Sequence, residues 1–242
     1  MTDATSDATS ALSSASVTRS TSVSDAIATR RSIRAFTDQP VDPALLRTVL
    51  AKAQRSASGG NVQPWEVSVL TGDALTALVA AVAERQALGF MGLQPEYPIY
   101  PDPLPEPWKS RRFGIGMAMY AALGIDRGDS DARNAAMREN FSAFGAPVLL
   151  FLHCPRFMGP PQWGDMGMWL ATVCLLLREA GLDSCAQEAW SVYGKTVRDQ
   201  LGLDDEQIVW TGLAIGHRDA EAAVNNFEVP RAELDEIVRW FD

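Results

Sequence analysis

The sequence predicts a sandwich of helices and strands, α/β or α+β, built round one core. Three observations predict it. Short apolar runs with strand character alternate with longer stretches of helical period. No internal repeat is present, and no linker divides the chain beyond its first residues. The 242 residues suffice for one large domain, and 47% apolar with 21% charged residues are the proportions of an ordinary globular protein.

Residues 1–22 are nearly all Ser, Thr, Ala and Asp. Such a segment cannot bury enough apolar surface to offset its ordering entropy, so a disordered tail is expected there. It lacks the basic start and apolar centre of a secretory signal. A single folded domain is expected over 23–242. Ser24 is a candidate cap for a short helix from Asp25 to Arg30. Pro43 marks the first position of the next helix, which runs through Leu45, Leu46, Val49 and Leu50. Ser56 to Asn61 is a loop of small residues, where backbone can approach a ligand closely. Trp65 to Leu70 alternate as a strand, and a helix follows from about Asp73 to Gln86. Residues 90–108 carry six prolines, with Tyr97, Tyr100 and Trp108 among them. They read as an insert that serves as a lid or an edge loop.

Helices are expected near 108–122 and 128–142. The continuous apolar run from Pro147 to Leu152 is a buried strand. The long helix over 163–180 is apolar round most of its circumference, hence buried or part of a subunit interface, and Gly181 closes it. A short strand from Asp183 to Gln187, a helix from Val192 to Leu201 and a strand from Glu206 to Gly216 come next. Pro230-Arg231 opens a last helix through Leu234, Ile237 and Val238.

Composition excludes several functions. The formal net charge of -9 argues against nucleic-acid binding, which needs a basic face. Three cysteines without a CxxC pair suit reduced thiols in a cytoplasm. Two histidines and those cysteines argue against a Zn site. A serine hydrolase would need His153 or His217, and no G-x-S-x-G elbow stands near either. No run of 18 apolar residues spans a membrane.

One stretch stands against the acidic background: Arg30-Arg31-Ser32-Ile33-Arg34-Ala35-Phe36. Arginine forks and a serine hydroxyl match the oxygens of a phosphate, so the cluster reads as an anion nest. The plainer alternative is a solvated basic run at a helix end.

Together with other pieces, this cluster resembles the nitroreductase family of FMN-dependent oxidoreductases. The small-residue loop leads into Asn61-Val62-Gln63-Pro64-Trp65. Gly181 to Glu188, Ala214-Ile215-Gly216-His217 and Pro230-Arg231 follow in the family's order. The proline-rich insert and Gln187-Glu188-Ala189-Trp190 look most like the nitrobenzoate reductase branch. The resemblance implies an α+β three-layer α/β/α sandwich, with a mostly antiparallel sheet flanked by helices, in an intertwined homodimer. Two FMN molecules would sit at the dimer interface. Arg30, Arg31, Ser32 and Arg34 match the first FMN-binding stretch, and Ser58 and Asn61 the loop given by the other subunit. Gln187 and Glu188 match residues beside flavin N5, and Arg231 a late basic residue on the phosphate.

Within that match, Arg30, Ser32 and Arg231 are assigned to the phosphate, Arg34 to the pyrimidine end, and backbone N–H groups of Gln187 or Glu188 to N5. This division requires a five-residue turn to span the cofactor from phosphate towards ring. Ala186 and Ala189 depart from the proline or glycine common in the family, and His217 from its usual aromatic. Lys109, Arg111 and Arg112 are candidates to reach flavin or an acidic substrate, and Tyr97, Tyr100, Trp108 and Phe113 to line an aromatic slot.

The implied reaction is ping-pong. NAD(P)H gives hydride to FMN, and a small aromatic acceptor such as a nitroaromatic or quinone is then reduced. No side chain is assigned as an essential acid or base, and no metal is expected. Dehalogenation, ene reduction and free flavin reduction stay open on the same fold. A non-catalytic flavin-binding dimer is the rival outside enzymes.

Overall fold

The computed structural model describes residues 19–241. Most of the expected tail, 1–18, lies outside the described residues. Its last residues do not belong to a tail. Ser20 is buried, donates its N–H to the Arg178 carbonyl at 3.1 Å and shares a hydroxyl contact with Thr29 at 3.0 Å.

The helices are α1 (Val23–Thr29), α2 (Pro43–Ala53), α3 (Gly72–Ala87), α4 (Trp108–Ala122), α5 (Ser130–Arg138), α6 (Pro160–Glu179), α7 (Gly194–Leu201) and α8 (Leu234–Ile237). The strands are β1 (Glu66–Thr71), β2 (Val148–Pro155), β3 (Asp183–Gln187) and β4 (Gln207–Gly216). They form one sheet in the order β1-β2-β4-β3, and every named pair is antiparallel.

Local chemistry explains most boundaries. Asp42 caps α2 by accepting the Ala44 N–H at 2.9 Å, with Pro43 next to it. A cap of this kind contributes about 1 kcal/mol. At α1 the cap is Ser22, not Ser24. Its hydroxyl accepts the Asp25 N–H at 3.1 Å, so the helix starts earlier than expected. Gly181 takes φ +80° just past α6, which lets the Leu182 N–H reach back to the Leu177 carbonyl at 2.8 Å. The expected helix over 128–142 breaks after Arg138 into 3₁₀ turns with Ala143 and Phe144 left-handed. The last helix is one turn, opened by Glu233 rather than Pro230, and residues 229–233 before it carry no regular structure.

Two cores replace the single one expected. β2 is buried on both faces, as its unbroken apolar run requires. Val148, Leu150, Leu152 and Cys154 meet α2 and α6 through Leu46, Val49, Met166, Trp169 and Val173. Leu149 and Phe151 meet α3 and α7 through Leu78, Val82 and Val197 on the opposite face. Helix, sheet and helix thus make three layers. Gly212 is required by closeness: a Cβ there would stand 2.5 Å from Cδ1 of the buried Trp190.

Beside β1, a polar network closes the sheet edge. The Nδ1 of buried His153 meets the Gln207 carboxamide oxygen at 3.2 Å, and Nε2 meets the Ser68 hydroxyl at 3.0 Å. A carboxamide oxygen only accepts, so Nδ1 donates and Nε2 takes the Ser68 proton. Burial holds the ring below its usual pKa of 6.5, against the opposing pulls of Gln207 and Glu66. The folded state therefore prefers the neutral ring. The unfolded chain binds a proton first, and stability falls as pH drops below about 6.5. His153→Gln is expected to flatten that part of the curve in urea unfolding, and an unchanged slope would remove His153 as its cause.

Candidate functional site

The arginine stretch after α1 is extended, not a turn. Ser32 pairs with Ser184 as a parallel bridge, and the Ile33 N–H donates to the Ser184 carbonyl at 3.1 Å. The stretch therefore runs along the outer edge of β3. Alternation along an extended chain puts Arg30, Ser32 and Arg34 on one side and the fully buried Ile33 on the other. All three polar residues act on Cys185 in β3. Burial pushes its thiol up to about 11, while Arg34, Arg30 and a hydrogen bond to Ser32 pull the other way. At roughly 3.3 Å per residue, the four steps from Arg30 to Arg34 cover about 13 Å. An extended ribbon gives this reach where the expected turn would not.

Arg34 is held at both ends. Its N–H donates to Asn225 Oδ1 at 2.7 Å, and its Nη1 donates to the Ser32 carbonyl at 3.2 Å. Asn225 is fixed in turn by donating to the Ala35 and Asp219 carbonyls, each at 2.8 Å. Arg31 points elsewhere, giving a hydrogen bond to the Phe227 carbonyl at 3.2 Å.

β3 delivers its end into a broad cleft of about 1920 Å³. Arg34, Gln187, Glu188, Phe141, Tyr193 and Trp210 are among its walls. The Gln187 side chain is spent inside the protein. Its Nε2 donates to the Asn140 carbonyl at 2.6 Å, and its Oε1 accepts from Trp190 at 3.3 Å. Glu188 opens the 3₁₀ turn Glu188–Val192, so its own N–H has no partner within that turn. Partial burial raises the Glu188 carboxyl above its usual range, although the side chain still reaches solvent.

Two devices set this strand and its neighbour. Buried Asp183 at the start of β3 accepts from Arg178 at 2.9 Å and from Arg218 at 2.5 and 2.7 Å. On β4 the register slips, with Leu152 facing Thr211 and His153 facing Val209. Trp210 is the extra residue of this bulge and is turned into the cleft wall. The Tyr97 hydroxyl donates to the Trp210 carbonyl, and its ring packs on Trp163 at 5.2 Å. Tyr97 therefore supports the bulge and does not line the slot.

The proline-rich insert is pinned at its start. The Gln94 and Glu96 N–H groups donate to Val192 and Ser191 carbonyls at 2.7 and 2.9 Å. The Glu96 carboxylate pairs with Arg198 of α7, and with Arg156 at 2.9 Å. Beyond it, Tyr100 and Phe113 line the cleft, and Trp108 lines a smaller pocket beside it. Lys109 and Arg112 line the cleft as well, whereas Arg111 pairs with Glu236 at 2.9 Å.

Six of the nine expected residues are not among the cleft's lining: Arg30, Arg31 and Ser32 on the ribbon, and Ser58, Asn61 and Arg231 elsewhere. The Ser58 hydroxyl accepts the Gln63 N–H at 3.0 Å, and Asn61 is left-handed with φ 58°. Their loop is tied to α6, where the Gly59 N–H donates to the Asp165 carboxylate at 3.1 Å. Arg231 is exposed and donates to the nearby carbonyls of Val229 and Pro230 at 3.1 and 3.0 Å. Asn140, Phe141, Trp210 and Asn225 escaped the sequence reading. No local pattern in the sequence singles out any of the four.

A model of the "Nitroreductase family" matches residues 27–217. The chain belongs to the nitroreductase family. The matched region contains the arginine ribbon, the small-residue loop and the β3 end, so the shared fold frames the cleft just described. Among solved structures, the family fold is similar to that of the FMN and NADPH-dependent nitroreductase NfnB from Sphigopyxis sp. strain HMH. That likeness has 58% identity and a TM-score of 0.91, over 91% of this chain and 99% of the other. A nitrobenzene nitroreductase of Ectopseudomonas oleovorans is 34% identical over 218 residues, 90% of this chain and 96% of the relative. A 4-nitrobenzoate reductase of Pseudomonas putida is 33% identical over 208 residues, 85% and 89% of the two chains. Among the described residues no helix is long and apolar enough to cross a membrane.

Proposed function

We propose that this nitroreductase-family chain is an FMN-dependent enzyme that takes hydride from NADPH and reduces nitroaromatics, in a ping-pong cycle. One observation carries the reading. Arg34, Gln187 and Glu188 meet in a single cleft, in a chain 58% identical to an FMN and NADPH-dependent nitroreductase.

The residues fit FMN by their donor chemistry. Arg30, Ser32 and Arg34 share one side of the ribbon, and among the described residues neither arginine has an ion pair. Arg30 and Ser32 would hold the phosphate through charge-assisted hydrogen bonds. Arg34, fixed by Asn225, would favour negative charge at the pyrimidine end. The backbone N–H of Glu188, which has no partner within its own 3₁₀ turn, would be the donor for N5. Bound FMN supplies the acceptance and donation of hydride. The chain's own task is to orient the partners and set the charge around them. Each nitro group that becomes nitroso takes two electrons and two protons and releases water, and the open cleft lets solvent supply the extra proton.

The working unit is read as a homodimer. Leu234, Ile237, Trp240 and Phe241 on the C-terminal arm are 60%, 64%, 76% and 89% exposed, an apolar surface of the kind that marks an interface. Ser58 and Asn61, remote from the cleft of their own chain, would then complete the site of the other subunit, and Arg231 would join a phosphate across the interface. Three buried free thiols suit a cytoplasmic location.

The purified protein is expected to be yellow, to sediment as a dimer and to consume NADPH steadily with a nitroaromatic. Colourless protein that binds no added FMN overturns the cofactor assignment. Yellow protein that turns over no acceptor overturns the enzyme.

A further inference from the structure

α4 opens Trp108-Lys109-Ser110-Arg111-Arg112, with no acidic residue in its first turn. Cations are unfavourable at that end of a helix, where the free N–H groups already create positive potential. Three stand there nonetheless. Glu106, whose carboxyl is held below its usual range chiefly by Ser110 and also by Lys109, offsets part of this charge, and a local rule broken with only partial compensation is a common mark of a functional demand.

The neighbours do not neutralise them all. Glu236 pairs with Arg111 at 2.9 Å. The Glu106 carboxylate accepts the Ser110 N–H at 3.1 Å. Among the described residues Lys109 and Arg112 have no ion pair. The Arg112 guanidinium lies 4.0 Å over the Tyr100 ring. That stacking fixes the plane of the fork and leaves its N–H edges free to donate. Both side chains line the cleft that holds Arg34 and Gln187. Arg133 lines it too, but its Nε is engaged by the Asp129 carbonyl at 3.3 Å. Carboxylates at the same walls are Asp102, Glu106, Glu139 and Glu188.

We propose that Lys109 and Arg112 form an anion subsite that takes the 2′-phosphate of NADPH and so selects NADPH over NADH. The inference rests on the cleft being a nicotinamide-dependent flavin site. Gln187 is buried and Arg34 half-buried, whereas Lys109 and Arg112 are exposed. Both regions line one cleft of about 1920 Å³, which has room for more than a flavin, and the dinucleotide is the largest ligand of the reaction. A phosphate monoester is a dianion, matched by one point charge and one planar fork. NADH presents a hydroxyl there and leaves both cations unanswered.

The test uses the FMN-loaded protein, with Arg112→Gln, Arg112→Lys and Lys109→Gln. The ratio of kcat/KM for NADPH to that for NADH is expected to fall about tenfold in each Gln variant, the size of one lost charge-assisted hydrogen bond. Arg112→Lys is expected to recover part of the loss, since charge returns without the stacked fork. Adenosine 2′,5′-bisphosphate is expected to inhibit the unaltered protein more than 5′-AMP does, and the Gln variants to lose that difference. A ratio that stays within about twofold in both Gln variants overturns the subsite. Loss confined to carboxylated nitroaromatics also overturns it, because the cations would then serve the acceptor. If the unaltered protein consumes no NADPH at all, the proposed function fails rather than the subsite.

Discussion

Asp183→Ala is expected to destabilise the protein by about 3–5 kcal/mol. The carboxylate is buried, and it binds Arg178 at the end of α6 and Arg218 just after β4. Removing it leaves two guanidinium groups in a poorly hydrated place without their common counter-charge. Such a loss exceeds that of an exposed ion pair, which contributes at most about 1 kcal/mol. For a chain of this size it corresponds to a fall of roughly 10 °C in Tm. Asp183→Asn keeps one acceptor and is expected to lie between. β3 begins at Asp183 and ends at Gln187, so loosening it also loosens the cleft wall. Urea unfolding read together with flavin content measures both effects. A loss below about 1 kcal/mol would show that the cluster is hydrated and incidental.

Arg34→Ala is expected to slow hydride transfer about 100-fold while leaving most FMN bound. Arg34 is placed for the first effect because Asn225 and the Ser32 carbonyl hold it at the cleft wall. The cation that stabilises developing charge acts on the rate, whereas the phosphate carries the binding. Arg30→Ala is expected to do the reverse, releasing FMN with a smaller change per bound flavin. Stopped-flow reduction by NADPH gives the rate, and equilibrium dialysis gives the retention. Equal effects of the two substitutions on both quantities would refute the division of labour along the ribbon.

Much of the fold was legible because its signals are local. Pro43 after Asp42, Gly181 after a long apolar helix and the unbroken run of β2 each act within a few residues, and each stands where expected. Errors came where two local signals competed. Ser22 and Ser24 are both competent caps, and the contacts of Ser20 with Arg178 and Thr29 favour the earlier start. Pro230 suits a helix start, but the helix begins only at Leu234.

The site divides in the same way. The types and spacing of Arg30, Ser32 and Arg34 are written in the chain and point to an anion nest, whereas the flavin and the places of Gln187 and Glu188 beside it follow only from the resemblance to the nitroreductase family. Their arrangement is a tertiary matter. Pairing with Ser184 stretches the arginine cluster into a ribbon and so sets 30, 32 and 34 on one side. The bulge that brings Trp210 to the cleft arises from the register between two strands, and Asn225 reaches Arg34 across 191 residues. Such contacts depend on which elements meet, and no short window of sequence contains both partners. Residue chemistry is local and can be read directly, whereas geometry belongs to long-range pairing and comes into being only when the sheet closes.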